Sequence, residues 1–256
     1  MRAAVATMGS GICFGLLAAS CYPYQANAAE NSAQLSMVDR TLPAPKIAAG
    51  AAAITVSALP AHRPKRADFE GEHASREARQ VADWIVDSRD NRSMPFAIVD
   101  KRDAKVFVFD ATGRLRGAAP ALLGMAPGDD SVPGIGNRAL SSIRPEERTT
   151  PAGRFVAALD RNSNGKEILW VDYEGAVSMH PVITTKPEER RLQRLATPTP
   201  LDNRISYGCI NVPAKFFASV VHPAFTGTNG IVYVLPEIKS AREVFASYDV
   251  EERARP

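Results

Sequence analysis

A mainly β domain with a few short helices is the architecture this chain predicts. Three observations carry it. Short apolar runs rich in Val, Ile and Phe recur at close intervals over 94–238. Clusters of Gly, Asn, Asp and Pro punctuate them, as turns between strands require. One long stretch, Glu72–Ser88, keeps helical spacing of its apolar residues. Apolar content of 45% in 256 residues suits one sizeable domain with room for flexible segments.

Residues 1–28 read as an export signal. Arg2 supplies the basic start, Gly9–Ser20 a short apolar core, and Ala26-Asn27-Ala28 an A-x-A cleavage site. Lipoprotein processing at Cys21 is the alternative. It is less favoured because Ala18 stands where a large aliphatic is preferred. Export to the periplasm or cell envelope removes Cys13, removes or lipidates Cys21, and leaves Cys209 as the single thiol. Residues 29–70, rich in Ala, Pro and Ser and closing on Arg63-Pro64-Lys65-Arg66, read as a flexible tether.

Residues 71–93 form a helical lead-in, with Ala78, Val81, Ala82, Trp84, Ile85 and Val86 as its apolar positions. Pro95–Val99 and Val106–Phe109 read as strands around the turn 100–105, and Arg114–Leu123 holds a third strand that runs into a loop. The Gly- and Pro-punctuated segment 126–149 reads as a flexible loop. Its Pro133-Gly134-Ile135-Gly136-Asn137 lacks the spacing of a dinucleotide fingerprint. Thr150–Leu159 leads into a strand, and Asp160–Lys166 is a hairpin loop without the closing glutamate of a calcium loop. Ile168–Tyr173 and Ala176–His180 are strands, 188–195 and 214–221 short helices, and Gly230–Leu235 the last strand. The domain spans 94–238, and 239–256 is a tail with a helix that frays.

Composition excludes several classes. A net charge of +3, from 31 basic and 28 acidic residues, makes no case for nucleic acid. No long apolar run lies beyond the signal, so no membrane span is expected in the mature chain. The four His and the lone thiol are scattered, so neither a metal nor a cofactor is expected.

The chemistry centres on Ile205-Ser206-Tyr207-Gly208-Cys209-Ile210-Asn211. Two fates are open to Cys209: a small buried hydrophobe, or a nucleophile presented by the turn that Gly208 permits. A solitary thiol in an exported chain favours the second. A thiol nucleophile needs a base. His180, closing a strand before the loop that returns to Cys209, is better placed than His62, His73 or His222.

The order His180, loop, Ser206-Tyr207-Gly208-Cys209-Ile210-Asn211 resembles the L,D-transpeptidase catalytic domain (YkuD) family. That family's signature is a His, a spacer, then Ser/Thr-His-Gly-Cys-apolar-Asn or Arg. Thr150-Pro151-Ala152-Gly153-Arg154-Phe155 is similar to its T-P-x-G-x-F segment, and the resemblance covers 94–238. Three features depart from it. Tyr207 replaces the second His, the 181–205 spacer is long, and Pro181 follows His180. The resemblance implies a β-sandwich or barrel and a cysteine acyltransferase. Its substrates are peptidoglycan stem peptides, and its acceptor is another stem, a lipoprotein lysine or a free D-amino acid. His180 would be the base. Ser206, Tyr207, Gly208, Asn211 and Arg204 would bind substrate or the oxyanion. Rival readings are an L,D-carboxypeptidase of the same fold, a non-catalytic peptidoglycan-binding protein and a thiol sensor.

Overall fold

The computed structural model describes residues 63–254. The export signal expected over 1–28, and most of the tether expected over 29–70, lie outside the described residues. The fold is mainly β. Eight strands form one sheet: β1 (Phe96–Asp100), β2 (Lys105–Phe109), β3 (Leu115–Pro120), β5 (Gly153–Arg161), β6 (Glu167–Asp172), β7 (Val177–Pro181), β9 (Ile210–Val212) and β10 (Gly230–Val234). Their spatial order is β3-β2-β1-β10-β5-β6-β7-β9. A two-stranded parallel ribbon pairs β4 (Leu123–Gly124) with β8 (Arg204–Ser206). The large sheet is mixed: β1 runs parallel to β10 and β7 parallel to β9, while the other neighbours are antiparallel. Backbone bonds in both directions between Leu122 and Asn211 join the segment after β3 to β9, so the sheet nearly closes on itself.

Closure explains why β1 and β10 are apolar without alternation: they are buried on both faces. Inside lie Ala97, Val99, Val106, Val108, Leu169, Val171, Met179, Ile210 and Val232. Phe217 and Val221 plug this core from the helical run α3 (Ala214–Phe216), a π-helical turn at Phe217–Val221 and α4 (His222–Phe225). Outside, Phe96, Ile98, Phe107, Phe109, Ile231 and Tyr233 pack under α1 (Arg76–Ser88). The Ser75 hydroxyl caps α1 by accepting from the Ala78 N–H at 3.0 Å and donates to Asp100 at 2.6 Å.

Two expectations are corrected. The tether stops short of residue 70, because Phe69 is buried edge-on against Phe107 and Phe109. The tail is part of the fold: α5 (Ala241–Phe245) and α6 (Val250–Ala254) bury Phe245 and Val250 in the core under α1. The third strand, expected within Arg114–Leu123 and running into a loop, spans Leu115–Pro120, after which the chain crosses to the ribbon. The loop 126–149 is built around 3₁₀ turns at Ile135–Asn137, Leu140–Ser142 and Pro145–Glu147, with Ile135, Ile143 and Glu147 buried. A Cβ at Gly136 would lie 2.3 Å from the Glu174 carbonyl, so its glycine lets the loop rest on the β6–β7 turn.

Lys101, with its side chain fully buried, ties the base of this loop. It reaches the Gly128 carbonyl, Asp129 at 2.8 Å and the Thr150 carbonyl at 3.1 Å. Asp129 also accepts from the N–H groups of Glu237, Ile238 and Lys239. Burial alone would raise its carboxyl. Lys101 and these three donors hold it far below the usual range. No helix among the described residues is long and apolar enough to cross a membrane.

Candidate active site

Strand pairing brings the sequence-distant groups together. β7 and β9 place His180 beside Asn211 in register, and Cys209 sits immediately before β9. Hydrogen bonds to the Gly208 and Cys209 carbonyls and from the Gly208 N–H hold the turn that presents Cys209. The Ser206 hydroxyl donates to the Cys209 carbonyl at 2.6 Å and accepts the Gly208 N–H at 3.1 Å. Asn211 donates to the same Cys209 carbonyl at 3.1 Å. Thr150 donates to the Gly208 carbonyl at 2.8 Å and accepts the Gly124 N–H at 2.8 Å. The Thr-Pro segment thus braces the cysteine turn from the chain that leads into β5.

Gly208 has φ of 128°, and a Cβ there would lie 2.8 Å from the Thr149 carbonyl. Gly208→Ala therefore combines a forbidden backbone region with a backbone clash. It is expected to cost about 2 kcal/mol or more and to misplace the thiol. Urea unfolding and Cys209 alkylation rates check this; unchanged stability with an unchanged rate would contradict it.

Cys209 is the only cysteine among the described residues and is half-buried. Its Sγ lies 3.7 Å from the Ser178 hydroxyl and 3.7 Å from the Ala176 carbonyl. Burial pushes the thiol pKa up, but the His180 hydrogen bond and charge, with the Ser178 N–H and hydroxyl, pull it below its ordinary value. Burial likewise pushes His180 down. Its hydrogen bond to Cys209, the thiolate charge and the Pro181 carbonyl outweigh that and raise it. Both shifts favour a thiolate–imidazolium pair. His180 Nδ1 is 2.8 Å from the Pro181 carbonyl. A carbonyl only accepts, so Nδ1 carries a proton and Nε2 is left for the thiol. Pro181, a departure from the family pattern, orients the imidazole through its carbonyl.

Other expected site residues have different positions from those their sequence order implied. Arg204 pairs with Glu237 and donates to the Lys101 carbonyl, bracing the β8 ribbon. Asn211 is 1% exposed and spent on the Cys209 carbonyl and on Arg191, 2.8 Å away. Ser206 is buried and acts on the turn, and the Gly208 N–H, given to Ser206, is withdrawn from any oxyanion. Tyr207 carries the Arg148 guanidinium 3.9 Å above its ring centroid. Sequence reading missed Ser178, Arg191 and Arg148. Ser178 lies two residues before His180 on one strand, so the same face was legible from the period of two. Arg148 sits on a loop and Arg191 opens the short helix α2 (Arg191–Ala196), and neither carried a local signal.

Two cavities meet at Cys209. One, of about 80 Å³, is lined by Ile135, Arg138, Ile143, Thr149, Tyr207 and Cys209 among others. The other, of about 540 Å³ and largely apolar, includes Ile168, Trp170, His180, Ile183, Cys209 and Phe217. A nucleophile reached from two sides can take one reactant from each. Among the described residues no cluster of His, Cys, Asp or Glu could hold a metal ion.

No family model matches the sequence, and no curated protein matches it. Solved structures do. The helical cell shape determining protein Pgp2 from Campylobacter jejuni is similar at 14% identity, over 63% of this chain and 52% of that one, with a TM-score of 0.36. The catalytic domain of the E. faecium L,D-transpeptidase is similar at 15% identity over 56% and 98%, TM-score 0.34. An L,D-transpeptidase from Mycobacterium smegmatis is similar at 15% over 55% and 58%, TM-score 0.33. This chain spans about half the length of the Pgp2 chain, and these likenesses lie in the fold.

Proposed function

We propose that this chain is an exported cysteine acyltransferase acting on peptidoglycan stem peptides, an L,D-transpeptidase. The observation that carries the reading is Cys209 on its braced turn, with its pKa drawn down by an imidazole whose other nitrogen is fixed on the Pro181 carbonyl. The Ser-x-Gly-Cys-Ile-Asn and Thr-Pro-x-Gly-x-Phe segments support it.

In this mechanism the Cys209 proton resides on His180 Nε2. The thiolate attacks the carbonyl that joins the L-centre of the third stem residue to terminal D-Ala. With the Gly208 N–H engaged, the oxyanion falls to the N–H groups of Tyr207 and Cys209. As the tetrahedral species collapses, the C–N bond breaks, His180 protonates the departing amine, and D-Ala leaves a thioester on Cys209. An amine from a second stem, a lipoprotein lysine or a free D-amino acid then attacks the thioester. It gives its proton to His180 and frees the thiol. Water in that role yields the carboxypeptidase outcome. Ser206, Asn211 and Thr150 touch no substrate; they hold the turn.

The experiment is intact-mass spectrometry after incubation with a carbapenem, with the adduct located by peptide mapping. One covalent adduct on Cys209 is the expected result, together with 3–3 dimers from tetrapeptide muropeptides. A folded chain with no adduct would sink the enzymatic reading in favour of a binding module. Tripeptides without dimers would make it a hydrolase.

A further inference from the structure

The segment between β4 and β5 carries three arginines, Arg138, Arg144 and Arg148, and they are not equivalent. Arg138 forks onto Glu147 at 2.9 and 3.1 Å, and Arg144 shares the same carboxylate at 3.3 Å. Elsewhere at the site Arg191 is paired with Glu189, and Arg204 with Glu237. Arg148 is half-buried and has no carboxylate partner among the described residues. Its Nε and Nη2 donate to the Ile143 carbonyl at 3.2 and 3.0 Å, and its plane lies on the Tyr207 ring. Two groups thus fix the guanidinium, and its Nη1 edge has no hydrogen-bond partner among the described residues. Both groups that hold it, Ile143 and Tyr207, line the small cavity at Cys209, as does the neighbouring Thr149.

An arginine immobilised by one carbonyl and by stacking on the ring two residues before a nucleophile, with no carboxylate partner among the described residues, is built for an anion. Its planar edge suits a carboxylate, and little rotamer entropy remains to be lost on binding. We propose that Arg148, carried on Tyr207, is the carboxylate-binding residue of the Cys209 site and engages the carboxylate next to the attacked carbonyl. That this is the terminal carboxylate of the donor peptide rests on the peptidoglycan reading; the anion subsite itself does not. The proposal gives Tyr207 a purpose. At that position the ring is a platform for the guanidinium rather than a base. It also accounts for the size of the cavity: about 80 Å³ suits a small terminal residue and not a peptide chain.

Two thiol reagents of nearly equal size test the subsite without any peptidoglycan. Iodoacetate and iodoacetamide both alkylate a thiolate with loss of iodide, and differ by one carboxylate charge. Rates are measured on the full chain, with Cys209 followed by peptide mass mapping. Arg148→Gln is expected to lower the iodoacetate rate about five- to tenfold relative to the iodoacetamide rate, which stays within about twofold of wild type. Tyr207→Leu, which removes the platform, is expected to move the ratio the same way by less. An unmoved ratio overturns the proposal. So does a parallel fall in both rates, which marks a change in the turn or in thiol ionisation. If Arg148→Gln does not fold, Tyr207→Leu decides on the same criterion. A chain inactive on muropeptides whose ratio drops keeps the anion subsite and loses the peptidoglycan reading. An active chain with an unmoved ratio does the reverse.

Discussion

Lys101→Met is expected to destabilise the fold by about 3–5 kcal/mol, a fall in Tm on the order of 10 °C for a domain of this size. The ammonium is fully buried and lies 2.8 Å from Asp129 and 3.6 Å from Glu237. Removing it strands the Asp129 carboxylate, which is almost as deeply buried, and takes the donor from the Gly128 and Thr150 carbonyls. Glu237 keeps Arg204, and Asp129 keeps three backbone N–H groups, so the network weakens without dissolving. Adding Asp129→Asn to Lys101→Met removes the stranded charge and is expected to recover part of the loss. Urea unfolding of the single and double variants measures both. A single-variant loss below about 1 kcal/mol, the range of an exposed pair, would show that this buried group is not what secures the loop. The effect reaches the site through one residue: the Thr150 carbonyl accepts from Lys101 while its hydroxyl fixes the Gly208 carbonyl.

The parts of this molecule that a reader of the sequence can find are those with local signatures. The β1–β2 hairpin follows from two Val- and Phe-rich runs around a charged turn. The π-helical turn in the run after Pro213 changes helix type without changing which residues are buried, so the helical pattern survives it. Cys209 and His180 were legible because a glycine turn and a strand-end histidine leave marks in order and spacing. Arg204 and Asn211 were chosen because they flank Cys209 in sequence, and flanking does not say which partner a side chain is committed to. Arg204 turns to Glu237 and Asn211 into the core. Nothing local announces Arg148, which lies 59 positions before Tyr207 in sequence and meets it only in the folded chain. The tail was misjudged for a similar reason. Phe245 and Val250 look like sparse apolar residues in a polar segment until Trp84 supplies the ring on which Phe245 stacks, 6.2 Å between centroids.

Cys209→Ala is expected to abolish acylation, and His180→Gln to slow it by about 10²–10⁴-fold, with a pH dependence that identifies the cause. Thiolate is the reactive form, so the rate rises with pH through the thiol pKa. In the native chain burial raises that pKa, but His180 and Ser178 more than offset it and hold it below the ordinary value. Glutamine at 180 removes the positive partner and leaves the burial. The thiol pKa then moves up, and the rising limb of the rate profile moves to higher pH. The deficit is therefore largest at low pH and narrows as the variant's thiol ionises. Ser178→Ala, which deletes the smaller contribution, shifts the limb the same way by less, because the His180 contributions are larger. Carbapenem acylation and iodoacetamide alkylation, followed across pH on the same preparations, should move together, since both read the thiolate. A variant profile parallel to the native one, reduced by one factor at every pH, would make His180 a positioning residue and remove the imidazolium from the account of how Cys209 becomes a nucleophile.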